Sequence, residues 1–224
     1  MKSNLPAKIR TISIKLEKVY GKKRWKVHSD PLSELIATIL SQNTSDINSH
    51  RAFLNIKSRF KTWDRVRKAK AKQIADTIRS GGLADIKAKR IKVILQQIFE
   101  ENGKLNLNIL KRWSTEKIRK YLGRFNGVGE KTIACVLLFS LKRPSLPVDT
   151  HVLRVSKRLG LVPQKVNARK AELILEELVP SGWVYQFHLN LIDHGRKICK
   201  ATNPLCRECV LLEICGYGKK RLKR

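Results

Sequence analysis

The stretch FNGVGEKTIACVLLFSLKRPSLPVDTH, residues 125–151, decides how this chain folds. Gly127 and Gly129 flank Val128, so the backbone there can take angles barred to other residues and bring bare N–H groups close to a surface. TIACVLLFSL, just beyond, is apolar on nearly every side, the pattern of a helix buried all round. The N–H groups of the turn therefore lie at a helix start, where unpaired donors and the dipole favour an anion. A DNA phosphate fits that description. An ordinary tight turn between two helices fits it too.

Lys131 stands in the first turn of that helix, the wrong end of the dipole for a cation. Partial desolvation and the positive helix end both disfavour the ammonium and free some neutral amine, a nucleophile able to form a Schiff base. A surface lysine touching phosphate is the competing reading. Asp149 follows eighteen residues later, behind Pro147. Ahead of THVLRVSKRL it reads as an N-cap, and a carboxylate at the mouth of a basic groove also stabilises a cationic sugar transition state. The two roles are compatible, because a cap fixes the position of the carboxylate.

Outward from this stretch, helical periodicity recurs along the chain and no run of alternating strand residues interrupts it. The N-terminal segment predicts an amphipathic helix with Ile9, Ile12, Leu16 and Val19 on one face. Asp30-Pro31 has the order of a helix start. KQIADTIRS reads as a helix stopped by Gly81-Gly82, KAKRIKVILQQIFEENG as another ending at Gly103, and Ser114 can cap TEKIRKYL, which stops at Gly123. Helices follow from Thr150 to Leu159, in ARKAELILEELV and in VYQFHLNLIDHGRKIC, and GKKRLKR closes the chain as a short basic tail. The fold class is all-α.

The charge is lopsided. Lys and Arg number 48 against 18 Asp and Glu, a formal net charge of +30. Such an excess favours fast, salt-sensitive capture of polyanions, nucleic acid first among them, although a basic surface also serves solvation. No window approaches the ~18 apolar residues of a membrane span, and the N-terminus lacks the apolar core of a signal peptide, so an intracellular protein is expected.

Four of the five cysteines lie near the C-terminus: Cys199, Cys206, Cys209 and Cys215, spaced C-x6-C-x2-C-x5-C. Disulfides are the weaker explanation inside a cell. Four thiolates hold either a tetrahedral zinc, which usually pairs two short knuckles where only one occurs here, or a [4Fe–4S] cube. Cys135, inside the apolar helix, reads as a small core residue.

The G-V-G hairpin followed by Lys131-Thr132, the V-D-T-H segment, HGRKIC at 194–199 and the terminal cysteine spacing together resemble the endonuclease III family of helix-hairpin-helix DNA glycosylases, from about Lys26 to Cys215. The resemblance implies a two-lobed all-α fold with a DNA groove between the lobes. One lobe is a six-helix barrel at about 33–143, with the helix-hairpin-helix at about 115–141. The other combines residues 1–32 and 144–224 and carries a [4Fe–4S] cluster on the four cysteines in a loop at 199–215. It further implies a monomer whose partner is duplex DNA with a damaged base or an abasic site. By the resemblance, Lys131 attacks C1′ of the damaged nucleoside and Asp149 assists, which is the bifunctional glycosylase and lyase mechanism on oxidised pyrimidines. An excision enzyme for mismatched uracil or thymine, or for alkylated bases, is the alternative on the same scaffold. A silent DNA-binding module with zinc is the alternative from another class. Leu83 falls in the wedge loop that fills the vacated stack, and Gln42 or Asn43 where the family contacts the orphaned base. Gly127, Val128 and Gly129 would anchor a phosphate, and His151, Lys200 and Arg207 would touch the DNA. Two departures stand out: Asn126 replaces a common proline before the first glycine, which makes the turn less rigid, and Gln42-Asn43 is not the commonest plug.

Overall fold

The computed structural model describes residues 5–223; the expected ends of the second lobe, residues 1–4 and 224, lie outside the described residues. Among the described residues there is no strand. The helices run α1 Leu5–Tyr20, α2 Pro31–Ser41, α3 Asp46–Phe60, α4 Trp63–Lys68, α5 Ala71–Thr77, α6 Ala84–Asn102, α7 Thr115–Gly123, α8 Glu130–Ser140, α9 Thr150–Leu159, α10 Ala168–Leu178, α11 Val184–Lys197 and α12 Gly216–Leu222. Short polar residues start half of them. Asp30, Ser45, Thr62, Ser114, Asp149 and Asn167 each accept a hydrogen bond from a first-turn amide of α2, α3, α4, α7, α9 and α10 respectively, satisfying donors that would otherwise lack partners.

The chain divides into two compact units. One is Val27–Arg143; the other takes the described residues up to Lys26 and those from Pro144 onward. The first holds α2 to α8. Its core is one continuous cluster from Leu32 to Leu137, to which α2 gives Leu32, Leu35, Ile36, Ile39 and Leu40 and α8 gives Ile133, Val136 and Leu137. In α8 every residue from Thr132 to Leu138 is buried, Cys135 among them, as the unbroken apolar run predicts. A helix with no polar face can exist in water only at the middle of a body. α8 is therefore held firmly, and what sits at its N-terminus is held with it.

The second unit packs α11 against α1 and α9. Gly195 of α11 is where α9 comes closest: a Cβ there would lie 2.9 Å from the Cβ of His151, so the glycine of HGRKIC serves helix approach. On α1, Ile9, Ile12 and Leu16 are buried as expected, but Val19 is 49% exposed. The stripe continues through Tyr20, four residues after Leu16, whose hydroxyl lies 3.1 Å from His194 Nδ1. Two other expectations change. KQIADTIRS leaves the α-helix at Thr77 and tightens into a 3₁₀ turn at Arg79–Gly81, and the basic tail is ordered as α12. α12 packs on α9, with Gly218 buried and its N–H 3.4 Å from Cys215 Sγ. No helix among the described residues is long and apolar enough to cross a membrane.

Candidate nucleic-acid interface and cysteine site

The hairpin between α7 and α8 is built as its two glycines suggest. Gly127 has φ +79°, in the left-handed region, and Gly129 is the N-cap of α8. No side chain caps that helix at Gly129. Val128 behaves differently from its neighbours. It is 5% exposed, belongs to the core cluster, and its N–H donates to Phe125 O at 3.0 Å. Its side chain anchors the turn, while Gly129 is exposed and Gly127 half-buried.

Lys131 sits in the first turn of α8 and is exposed. The desolvation expected from the apolar helix falls instead on Thr132 to Leu138, so that part of the sequence reading does not hold. The neighbouring carboxylate, Glu130, is drawn across the hairpin to Arg119 at 3.0 Å. Lys131 thus rises from the mouth of a buried helix, on backbone it cannot move.

Behind the hairpin lies a polar chain that the sequence did not announce. Gln42 donates from Nε2 to Gly127 O at 3.0 Å and lies 3.4 Å from Thr132 Oγ1. Arg90 NH1 donates to Gln42 Oε1 at 2.7 Å. Gln42 is thereby engaged at both ends, whereas Asn43 is exposed with φ +52°.

The loop before α6 presents Leu83, 51% exposed and in left-handed backbone at φ +48°. A bulky residue in that region costs roughly 1–3 kcal/mol and persists only where its surroundings hold it. The hold is Lys87. It is 1% exposed and donates to Leu40 O at 2.7 Å and Gly81 O at 2.8 Å. Burial, and secondly the charge of Arg90, pull its ammonium below the ordinary lysine range. Lys87→Met should therefore destabilise the protein by about 2–3 kcal/mol, since two buried carbonyls lose their donor and relief of the buried charge offsets only part of that. Urea unfolding checks it, and a variant as stable as the parent would remove Lys87 from this role.

In the second unit, Asp149 caps α9: its Oδ1 accepts from Val152 N at 2.7 Å. Oδ2 has no hydrogen-bond partner among the described residues. His151 is half-buried, its Nδ1 3.1 Å from Arg154 NH2. Lys200 and Arg207 are exposed on the cysteine loop.

Cys199, Cys206, Cys209 and Cys215 line one cavity, walled by Val155, Leu159, Ile198, Leu205 and Leu212. All are free thiols, so no disulfide competes for them. Burial pushes Cys209 up to about 11 and raises Cys215 as well. A cationic guest would favour loss of the proton from these two thiols. Among the described residues no three or more His, Cys, Asp or Glu side chains are gathered as a site for one metal ion. Four sulfurs around this apolar cavity are a donor set that an iron–sulfur cluster would take. His194 is buried, its Nε2 lies 3.5 Å from Cys209 Sγ, and burial pulls its imidazole down to about 4. Two arginines one helical turn apart on α9 were missed. Arg154 donates to Cys199 O at 3.0 Å and Arg158 to Lys200 O at 2.7 Å and Ala201 O at 3.0 Å.

Comparison with known proteins agrees with this arrangement. The family model described as HhH-GPD superfamily base excision DNA repair protein matches residues 36–181. An Arabidopsis thaliana protein, named as a candidate DNA glycosylase, is 42% identical over 75% of this chain, which spans 57% of that longer relative. The endonuclease III of Thermotoga maritima is 35% identical over 87% of both chains. A solved complex of endonuclease III trapped as a covalent intermediate with DNA superposes with a TM-score of 0.82, at 29% identity, over 97% of this chain and 98% of the other.

Proposed function

The chain belongs to the HhH-GPD superfamily of base excision DNA repair proteins, and from that premise we propose that it excises damaged bases and cuts the strand through Lys131 and Asp149. It is a bifunctional DNA glycosylase and AP lyase of the endonuclease III type. The observation that carries the reading is Lys131 itself, an exposed amine fixed at the mouth of a helix whose next seven residues are buried. An amine on so firmly held a backbone can act as a nucleophile once it has lost its proton; the same residue on a mobile loop would be a phosphate contact.

The steps follow from the chemistry of the groups. The positive surface captures duplex DNA, and the amides of Gly127 and Gly129 with the uncapped start of α8 receive a backbone phosphate. Extruding the damaged nucleotide costs a few kcal/mol, less where damage has weakened stacking. Leu83, exposed and held in place by Lys87, fills the gap. Asn43 is the better placed of the two plug candidates to meet the orphaned base, because Gln42 is committed to the hairpin. The deprotonated Lys131 Nζ forms a bond to C1′ as the base departs with the glycosidic electrons, and the Asp149 carboxylate stabilises the cationic sugar. The C1′–O4′ bond of the adduct then opens, a proton passing from the nitrogen to O4′, and the resulting imine makes a C2′ proton acidic; loss of that proton expels the 3′ phosphate and nicks the strand. His151, Lys200 and Arg207 add contacts to the DNA backbone. Oxidised pyrimidines are the substrate class and the protein acts as a monomer.

Cys199, Cys206, Cys209 and Cys215 would hold a [4Fe–4S] cluster, which supplies no chemistry to excision and stabilises the loop carrying Lys200 and Arg207. Purified protein should show visible absorbance and cross-link under borohydride to duplexes carrying thymine glycol or an abasic site. Trapping on uracil opposite guanine in place of thymine glycol would move the enzyme to mismatch repair. A colourless protein that traps nothing would leave only a DNA-binding module.

A further inference from the structure

The hairpin has a flexibility problem. Gly127 is in left-handed backbone, Asn126 beside it is exposed, and a second glycine follows within two residues. Glycine crosses between backbone basins with little steric cost, so such a turn keeps one shape only if something outside holds it. The two outside groups lying against Gly127 are both side chains of the same unit. Gln42 Nε2 reaches its carbonyl at 3.0 Å. The Arg90 guanidinium lies on its α-carbon, so closely that an added Cβ would stand 2.1 Å from Cζ. These two side chains are themselves joined by the 2.7 Å bond from Arg90 NH1 to Gln42 Oε1. That bond is charge-assisted and fixes which way the Gln42 amide points, so its NH₂ is presented to Gly127.

We propose that Arg90 is a positioning residue for the hairpin: with Gln42 it forms a clamp on Gly127 that keeps the turn in its phosphate-receiving shape. This rests on the reading of the hairpin as the DNA anchor. Arg90 stands one turn beyond Lys87 on α6, whose start carries the Leu83 loop. The helix that bears the wedge thus also braces the anchor, and the geometry of the two is set by one rigid element.

A planar fork and a point charge separate clamp from cation. In a clamp, Arg90→Lys and Arg90→Met weaken affinity for abasic-site duplex alike, by roughly ten-fold, the size of one charge-assisted hydrogen bond. A mere electrostatic contribution is retained in Arg90→Lys and lost only in Arg90→Met. The clamp also predicts that Arg90→Lys and Gln42→Met together cost little more than either alone, because they break one unit. Amide hydrogen exchange without DNA reads the turn directly: both single variants should speed exchange in residues 125–130 and leave α2 and α6 protected. Unchanged exchange, additive losses, or affinity lost in Arg90→Met yet kept in Arg90→Lys would overturn the proposal. Faster exchange at the turn with unchanged DNA affinity would keep the clamp and reject the hairpin as anchor, so the two readings fail separately.

Discussion

Lys131→Ala eliminates the borohydride cross-link to abasic DNA and lowers base excision with strand nicking by at least about a thousand-fold, while duplex affinity changes by less than about ten-fold. The asymmetry is the test. Borohydride reduces only an imine, so the trapped species reports one nitrogen bonded to sugar carbon. Neither of the other two lysines singled out is placed alike: Lys87 is spent on two carbonyls, and Lys200 sits on the cysteine loop. Affinity should hold because Lys131 is one cation among 48 basic residues, and removing a single phosphate contact shifts the salt slope by only about 0.9. The fold should hold as well, since the side chain is exposed and alanine is a good helix former at that position. Denaturation curves for parent and variant should coincide. A cross-link that survives the substitution would hand the nucleophile to another amine. Loss of binding in proportion to loss of activity would return Lys131 to the phosphate-contact reading.

How much of this was written in the sequence depends on the range of the interaction. Caps are local, and Asp30, Ser114 and Asp149 were readable because donor and acceptor lie within three residues of each other. The burial of α8 was readable because its apolar run leaves no polar face. The exposure of Lys131 was not, because a local pattern cannot say which residue of a first turn emerges from the body. Lys87 could have been found. It occupies a position of the buried stripe Ala84, Ala88, Ile91, Leu95 and Ile98 on α6, and a lysine on such a stripe needs a buried partner. Its partner Leu40 O is 47 residues away, and Arg90 reaches Gln42 across 48. Contacts of that range follow from packing and leave no periodic trace. Val19 failed for a simpler reason: spacings of three and four both fit a helix face, and Tyr20, with its polar handle, took the place that the more apolar valine was expected to fill.

Asp149 separates two functions of one carboxylate, and a pair of substitutions tells them apart. Its Oδ1 accepts from Val152 N at 2.7 Å and starts α9, while Oδ2 has no partner among the described residues. Asparagine caps a helix about as well as aspartate, since its amide oxygen accepts the same bond. Asp149→Asn should therefore cost only the interaction of the charge with the helix dipole, about 0.3–1 kcal/mol. Alanine forfeits the cap itself, about 1 kcal/mol more. In a protein of this size that extra loss lowers the melting temperature by roughly 2–4 °C. Activity should not follow stability. A neutral amide cannot stabilise a developing positive charge on the sugar, so both variants should lose base excision by roughly a hundred-fold or more, as deletion of an electrostatic stabiliser of a transition state does. Measured side by side, thermal melting should rank the parent first, asparagine close behind and alanine last, whereas single-turnover excision should rank the two variants together, far below the parent. An asparagine variant that melts and cuts like the parent would reduce Asp149 to a cap, and the cationic sugar would then need its counter-charge from elsewhere in a chain where carboxylates are outnumbered 48 to 18 by basic side chains.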